Sequence, residues 1–193
     1  METRPGGKLR RPGAAALAVA IAVALAAAFA FAQLQLSAQT GKAAERDRLT
    51  SELEESELAL GPDHPDTLSA KQALAESLYD LGEYAAARDA SAQVAEARER
   101  VLGPDHPDTF TSLSTLGLSF HGLGDYAAAR DVFMKVSDSM GRAFGPDHPI
   151  TLWSKNNLAN ALSKLGKYAA ARDIHEQVAA ARERPSAPII PTR

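Results

Sequence analysis

Eight residues, LGPDHPDT, occupy positions 60–67 and return letter for letter at 102–109, and a variant, FGPDHPIT, stands at 144–151. The spacing is 42 residues each time. A fixed period of this length marks a repeat architecture, one supersecondary unit stacked on copies of itself. Between and after the loops lie three segments of 34 residues, at 68–101, 110–143 and 152–185. They share Leu-Gly-x-Tyr-Ala-Ala-Ala-Arg-Asp at 81–89, 123–131 and 165–173.

Each segment reads as two helices. In the middle copy the first begins near Pro107–Asp108, where proline suits a first turn and Asp105 and Asp108 supply negative charge. Leu113, Leu116, Phe120 and Leu123 recur at the spacing of one buried helical face. Gly124 then ends the helix as a left-handed cap. The second helix carries Tyr126, Ala129, Phe133, Val136 and Met140 on its apolar stripe and stops before Gly145-Pro146. The octapeptide is therefore helix punctuation, repeated because the helical hairpin is repeated. Hydrophobic residues are 45% of the chain but aromatics only 6%, an alanine-rich balance that favours closely packed helices over a β-sandwich. The expected fold is an all-α solenoid over 42–185.

A shift of 42 residues back from YAAARD lands on KAAERD at 42–47, so residues 42–59 read as a lone second helix, a leading half-repeat. At the other end, residues 186–193 form a Pro-rich tail without helical pattern. The N-terminal region 1–13 is basic, with Arg4, Lys8, Arg10 and Arg11, and precedes an uncharged apolar stretch at 14–32. Nineteen residues at 1.5 Å each reach about 28 Å, enough to cross a hydrocarbon core. The stretch is expected to be a membrane helix, either an uncleaved signal-anchor, favoured by its length, or a cleavable signal. Small-x-small sites end at Ala32 and Ala38. Residues 33–41 would then be a linker. The basic cluster places the N-terminus in the cytoplasm and the repeats outside it, as a single-pass protein; cleavage would leave them secreted or periplasmic.

The pattern Leu116-Gly117-x-x-Phe120, then Gly124, Tyr126, Ala129 and Phe133, resembles the tetratricopeptide repeat, a helix–turn–helix unit of 34 residues. With its octapeptide loop, the 42-residue variant is similar to the repeats of the kinesin light chain group. It departs in lacking the early tryptophan and in placing Ser91 and His175 at the second-helix aromatic position, which implies looser packing there. The resemblance implies a right-handed superhelix whose concave groove is lined by each first helix. Carried over by position, the groove residues are Ser69, Gln72, Ala73 and Glu76, then Thr111, Ser114, Thr115, Leu118 and His121, then Trp153, Asn156, Asn157 and Asn160. Asn157 falls where family members hold a peptide backbone through a side-chain amide. Ser69, Thr111 and Trp153 stand where some relatives clamp a C-terminal carboxylate with Lys and Arg, which disfavours that mode.

The implied function is a non-catalytic protein–protein interaction scaffold that binds an extended peptide or a partner helix. The alternative is a structural solenoid that self-associates into a homo-oligomer through open, apolar repeat ends. A groove of uncharged polar residues with Trp153 as its apolar anchor should grip main chain, and its affinity should vary little with salt. Net charge is −3, which gives no electrostatic footprint for nucleic acid. Cysteine is absent, so no thiolate metal site or cysteine nucleophile exists. His64, His106 and His148 each follow an Asp, yet metal ligands must lie about 2 Å from one ion while stacked helices stand about 8–10 Å apart. Loop hydrogen bonding is expected of them instead, and no metal or cofactor. No phosphate loop or nucleophile–base grouping is visible, so no enzyme activity is expected. The adjacent pairs Arg46-Asp47, Arg88-Asp89, Arg130-Asp131 and Arg172-Asp173 point about 100° apart on a helix. They are expected to bridge repeats or to be solvated, and not to pair with each other.

Overall fold

The computed structural model describes residues 14–184, with side chains from residue 28 onward. Among the described residues there are seven helices and no strand: α1 (Ala14–Leu60), α2 (Pro65–Asp80), α3 (Tyr84–Leu102), α4 (Pro107–Gly122), α5 (Tyr126–Phe144), α6 (Pro149–Lys164) and α7 (Tyr168–Glu183). The chain divides into two units, residues 1–41 and the helical-hairpin solenoid that starts at Lys42.

Five positions of the octapeptide have a physical task. Gly61, Gly103 and Gly145 adopt φ of 90°, 90° and 96°, a left-handed conformation that closes the preceding helix. The aspartates Asp63, Asp105 and Asp147 take the guanidinium groups of Arg100, Arg142 and Arg184. The histidines are N-caps: Nδ1 of His64, His106 and His148 accepts the backbone N–H of Asp66, Asp108 and Ile150 at 3.2, 3.1 and 3.3 Å. Such a bond satisfies one of the orphan donors of a helix start. Proline follows at the first helical position of α2, α4 and α6. The closing threonine is fully buried in all three copies. Thr109 and Thr151 donate to the carbonyls of Gly103 and Gly145 at 2.9 Å, while Thr67 donates to Ser56 O at 3.3 Å. The loop thus bolts each first helix to the end of the helix before it.

The second loop of each unit is built on Gly82, Gly124 and Gly166, at φ of 80°, 79° and 75°. The core runs between successive helices. Ala95, Leu113, Val136 and Met140 form one cluster, Ala129, Phe133 and Ala161 another. Where α5 supplies Phe133, α4 supplies Gly117, and a Cβ on that glycine would lie 2.8 Å from the Phe133 ring. At the same register the first and third units carry Ala75 and Ala159, both fully buried, opposite the smaller Ser91 and the half-buried His175. Large and small residues therefore alternate across the hairpin, as interdigitated layers require.

Two expectations need correction. Residues 33–41, read as a linker, are helical within α1, because the only breaker there is Gly41 and a single interior glycine costs a helix about 1 kcal/mol without ending it. The leading half-repeat at 42–59 is the C-terminal part of α1 and begins the second unit, with Leu49 and Leu53 buried. The Arg-Asp neighbours do pair with each other, at 2.7, 2.7, 2.6 and 3.5 Å for Arg46–Asp47, Arg88–Asp89, Arg130–Asp131 and Arg172–Asp173. The arginine side chain is long enough to fold back across the 100° that separates the two Cβ atoms. Only Arg46 also bridges between helices, reaching Glu83 at 2.8 Å.

The face that α7 leaves exposed is not apolar. Beside Tyr168 and several alanines it presents Arg172, Asp173, Glu176, Gln177, Arg182 and Glu183. The membrane helix expected at 14–32 falls largely on residues 14–27, whose side chains lie outside the described residues, as do the basic region 1–13 and the tail 186–193. Among the described residues no helix is long and apolar enough to cross a membrane.

Candidate functional site

The first helices α2, α4 and α6 share one face of the solenoid and enclose a cleft of about 650 Å³. From α2 come Glu76, Tyr79 and Asp80; from α4, Phe110, Thr111, Ser114, Thr115 and Leu118; from α6, Pro149, Ile150 and Trp153. Trp153 is the hinge of the arrangement. Its ring meets Phe133 edge-on at 5.9 Å on the core side and Phe110 edge-on at 5.9 Å on the cleft side. Such edge contacts hold an aromatic in one orientation. The same residue therefore fills core and lines the cleft.

The polar groups of the cleft are unevenly satisfied. Gln72 lies buried beneath it, donating from Nε2 to Glu76 Oε1 at 2.8 Å and to Thr115 Oγ1 at 2.9 Å. Thr115 and Thr111 in turn donate to carbonyls one turn back on α4. Ser114 is different: its hydroxyl is buried and has no hydrogen-bond partner, nor has Gln72 Oε1. Burial holds the Tyr79 phenol above its usual range, with the Tyr84 and Asp80 charges adding to the effect, so it stands neutral as a donor.

The tetratricopeptide repeat profile matches residues 67–140 and 123–184, the greater part of the chain. The chain belongs to the tetratricopeptide repeat (TPR) family. Among solved structures it is similar to a point variant of a Podosopora anserina protein with kinesin light chain nearly identical TPR-like repeats, at TM-score 0.67 and 23% identity over 73% of this chain and 66% of that one. It is similar also to BtubC (BKLC) from P. vanneervenii, at TM-score 0.65 and 14% identity over 77% of this chain and 63% of that one. The TPR domain of Arabidopsis FLU aligns at TM-score 0.54 and 19% identity, over 60% of this chain and 94% of that one. The chain thus spans about two thirds of the length of the first two, and the likeness is one of fold. No curated protein matches it in sequence. TPR folds in general serve as scaffolds for protein–protein interaction.

Of the residues assigned to the TPR groove by position, the cleft brings together Glu76, Ser114, Thr115, Leu118 and Trp153, with Thr111. Gln72 supports it from below. Asn156, Asn157, Asn160 and His121 are half-buried on α6 and α4 but do not line it. The Asn157 amide is occupied, its Nδ2 donating to Trp153 O at 3.0 Å. Burial, and secondarily the Lys164 charge, holds His121 below the ordinary histidine range, and its ring meets Tyr126 edge-on at 5.2 Å. Sequence reasoning missed Tyr79, Asp80, Phe110, Pro149 and Ile150. Their signal is their place at the ends of the first helices, beside the loops and outside the helix middles that carry the groove pattern. The cleft is consequently not the uncharged polar surface expected. Beside Thr111, Ser114 and Thr115 its walls are aromatic and aliphatic, and its only charges among the described residues are the carboxylates of Glu76 and Asp80.

Proposed function

We propose that this TPR chain is a non-catalytic scaffold that holds a partner segment in the cleft of α2, α4 and α6. The observation that carries this reading is Trp153, fixed by Phe133 and Phe110 yet half-buried beside open space of about 650 Å³. A large aromatic braced on two sides and open on the third is a pre-organised anchor site, since binding need not order it. The hydroxyls of Thr111 and Thr115 are committed to helix carbonyls, and neither is bonded to the cleft carboxylates Glu76 and Asp80 as a nucleophile would be to its base. That supports binding over chemistry. A photo-cross-linker placed at Thr111, in the cleft, and at Lys135, on the outer face of α5, tests it in cells that express the full chain. Adducts from the cleft position alone are expected; equal or exclusive capture from Lys135 would place the interaction elsewhere.

The scaffold is proposed to be displayed outside the cytoplasm on a single span at 14–32. The uncharged run, its basic N-terminal flank, and exposed Phe29, Phe31, Leu34 and Leu36 in the same unit support this. Protease added to intact cells or spheroplasts should degrade the repeats; protection until lysis would refute the orientation. The mass of the mature protein separates anchor from cleaved signal.

A further inference from the structure

We infer that the cleft selects a partner segment in which a bulky apolar side chain is flanked by a basic one. This rests on the cleft being the binding site, and adds the chemistry of its occupant. Glu76 and Asp80 stand four residues apart on α2, hence on one face of that helix. Both are exposed, both line the cleft, and neither forms an ion pair among the described residues. Other acids of the solenoid do take a cation: Glu57 from Lys71, Glu83 from Arg46, and Asp105 from Arg142.

Two cations stand on neighbouring helices, and neither forms an ion pair with a cleft carboxylate among the described residues. Lys42 Nζ donates to the backbone carbonyl of Asp80 at 3.1 Å. Arg98 is buried, its Nη1 donating to Asp108 O at 3.0 Å and to Ser112 Oγ at 2.9 Å. Asp80 is also the last residue of α2, whose carbonyl end carries negative potential that Lys42 offsets in part. Among the described residues no lysine, arginine or histidine lines the cleft itself.

A second observation points to a ligand independently of charge. Ser112, Thr115 and Ser119 on α4 each return their hydroxyl to a carbonyl one turn back. Ser114, at 8% exposure and lining the cleft, does not, and its Oγ has no partner. A buried hydroxyl left unpaired is costly, and a rotation about χ1 toward the cleft would bring it to a peptide main chain, which offers both donor and acceptor. Phe110, Ile150 and Trp153 would receive the apolar side chain, and the aromatic faces would also favour a guanidinium reaching toward the α2 carboxylates.

The chain has a single tryptophan, and it lines this cleft, so its emission reports occupancy directly. Three short blocked peptides serve as probes: Leu and Phe alternating with Lys and Arg, the same with Gln at the basic positions, and the same with Glu there. The basic peptide should shift Trp153 emission and bind about tenfold more tightly than the Gln peptide, the scale of one charge-assisted bond. Its affinity should fall with added salt, and the Glu peptide should bind least. In Glu76→Gln/Asp80→Asn, with helix content checked by circular dichroism, the Gln peptide should bind as before while the basic preference disappears. Equal binding of the basic and Gln peptides, tighter binding of the Glu peptide, or a preference that survives the double variant would overturn the charge inference and leave cleft binding standing. If none of the three perturbs Trp153, both readings fall.

Discussion

Arg142 Nη2 stands 3.1 Å from Asp105 Oδ1, and the two are 37 residues apart in sequence. The same relationship joins Arg100 to Asp63 at 2.8 Å and Arg184 to Asp147 at 2.9 Å. Each arginine near the end of a second helix thus grips the loop that begins its own repeat. The Arg142 and Asp105 side chains are 62% and 48% exposed, so water and salt screen the attraction. A pair of that kind is worth about 0–1 kcal/mol. The buried Thr109, which donates to Gly103 O at 2.9 Å, should matter more. Urea unfolding should show Arg142→Ala costing less than about 0.5 kcal/mol and Thr109→Val about 1–2 kcal/mol. The reverse order would mean that the ion-pair ladder, and not the threonine bolt, sets the repeat junction.

Gly117 and Phe133 offer a sharper test of packing. An added Cβ would come within 2.8–3.1 Å of three atoms of the Phe133 ring, which is 1% exposed and braced by Trp153. Overpacking of a core costs about 1–3 kcal/mol, while replacing a helical glycine by alanine returns up to about 1. Gly117→Ala should therefore destabilise by about 1–2 kcal/mol in chemical denaturation. Phe133→Leu, destabilising alone, should cost less in the Gly117→Ala background. Additive costs in the double-mutant cycle would show that the two do not share space.

Much of the fold was legible in the chain because its punctuation is local. A glycine at positive φ, a proline at the first helical position and a period of 42 need no knowledge of tertiary contacts. That the loop histidines hydrogen-bond within the loop was legible too, but the atoms they use and the task of the threonine were not. His106 Nδ1 on a backbone N–H and Thr109 Oγ1 on Gly103 O are choices of rotamer that only the assembled junction makes. The cleft was half legible. Trp153, Ser114 and Glu76 follow from the first-helix face, but Phe110 and Ile150 reach the cleft from helix starts. Asn157 lies outside its lining, with one amide N–H bonded to the carbonyl one turn back. The pairing of the Arg-Asp neighbours was hidden because Cβ directions say little about a side chain as long as arginine.

Arg98 is 6% exposed and has no carboxylate in ion-pair range among the described residues. Burial pulls its pKa below the usual arginine value, against the opposing pull of Asp108 and Glu76. One repeat later the same position holds Met140, 1% exposed within the apolar cluster. Replacing a buried charged group by an apolar one of similar volume is often neutral or stabilising by about 1–4 kcal/mol. Asp108 O would keep its bond from Ser112 Oγ. Arg98→Met should accordingly leave stability unchanged or raise it, whereas Arg98→Ala should lower it through the space left behind. Denaturation midpoints decide this: a loss with Arg98→Met equal to that with Arg98→Ala would mean that the guanidinium bonds hold the junction.

His121 gives the solenoid a pH dependence with a definite sign. It is half-buried, its ring against Tyr126, and burial followed by the Lys164 charge lowers its pKa from the ordinary 6.5. Between the folded value and 6.5 the unfolded chain binds the proton more readily than the folded one. Stability therefore rises with pH across that window. Above 6.5 both states are neutral at this residue and the contribution is fully present; it is lost as pH falls through the folded value. Urea unfolding of wild type and His121→Gln at a series of pH values isolates this residue from the other titrating groups. The wild type should lose stability relative to the variant as pH falls below 6.5, and the two should run parallel above it. Lys164→Met should recover only the smaller part of that loss, because burial is the larger cause. Parallel curves throughout, or a wild type that gains on acidification, would mean that the imidazole is already solvated in the folded chain.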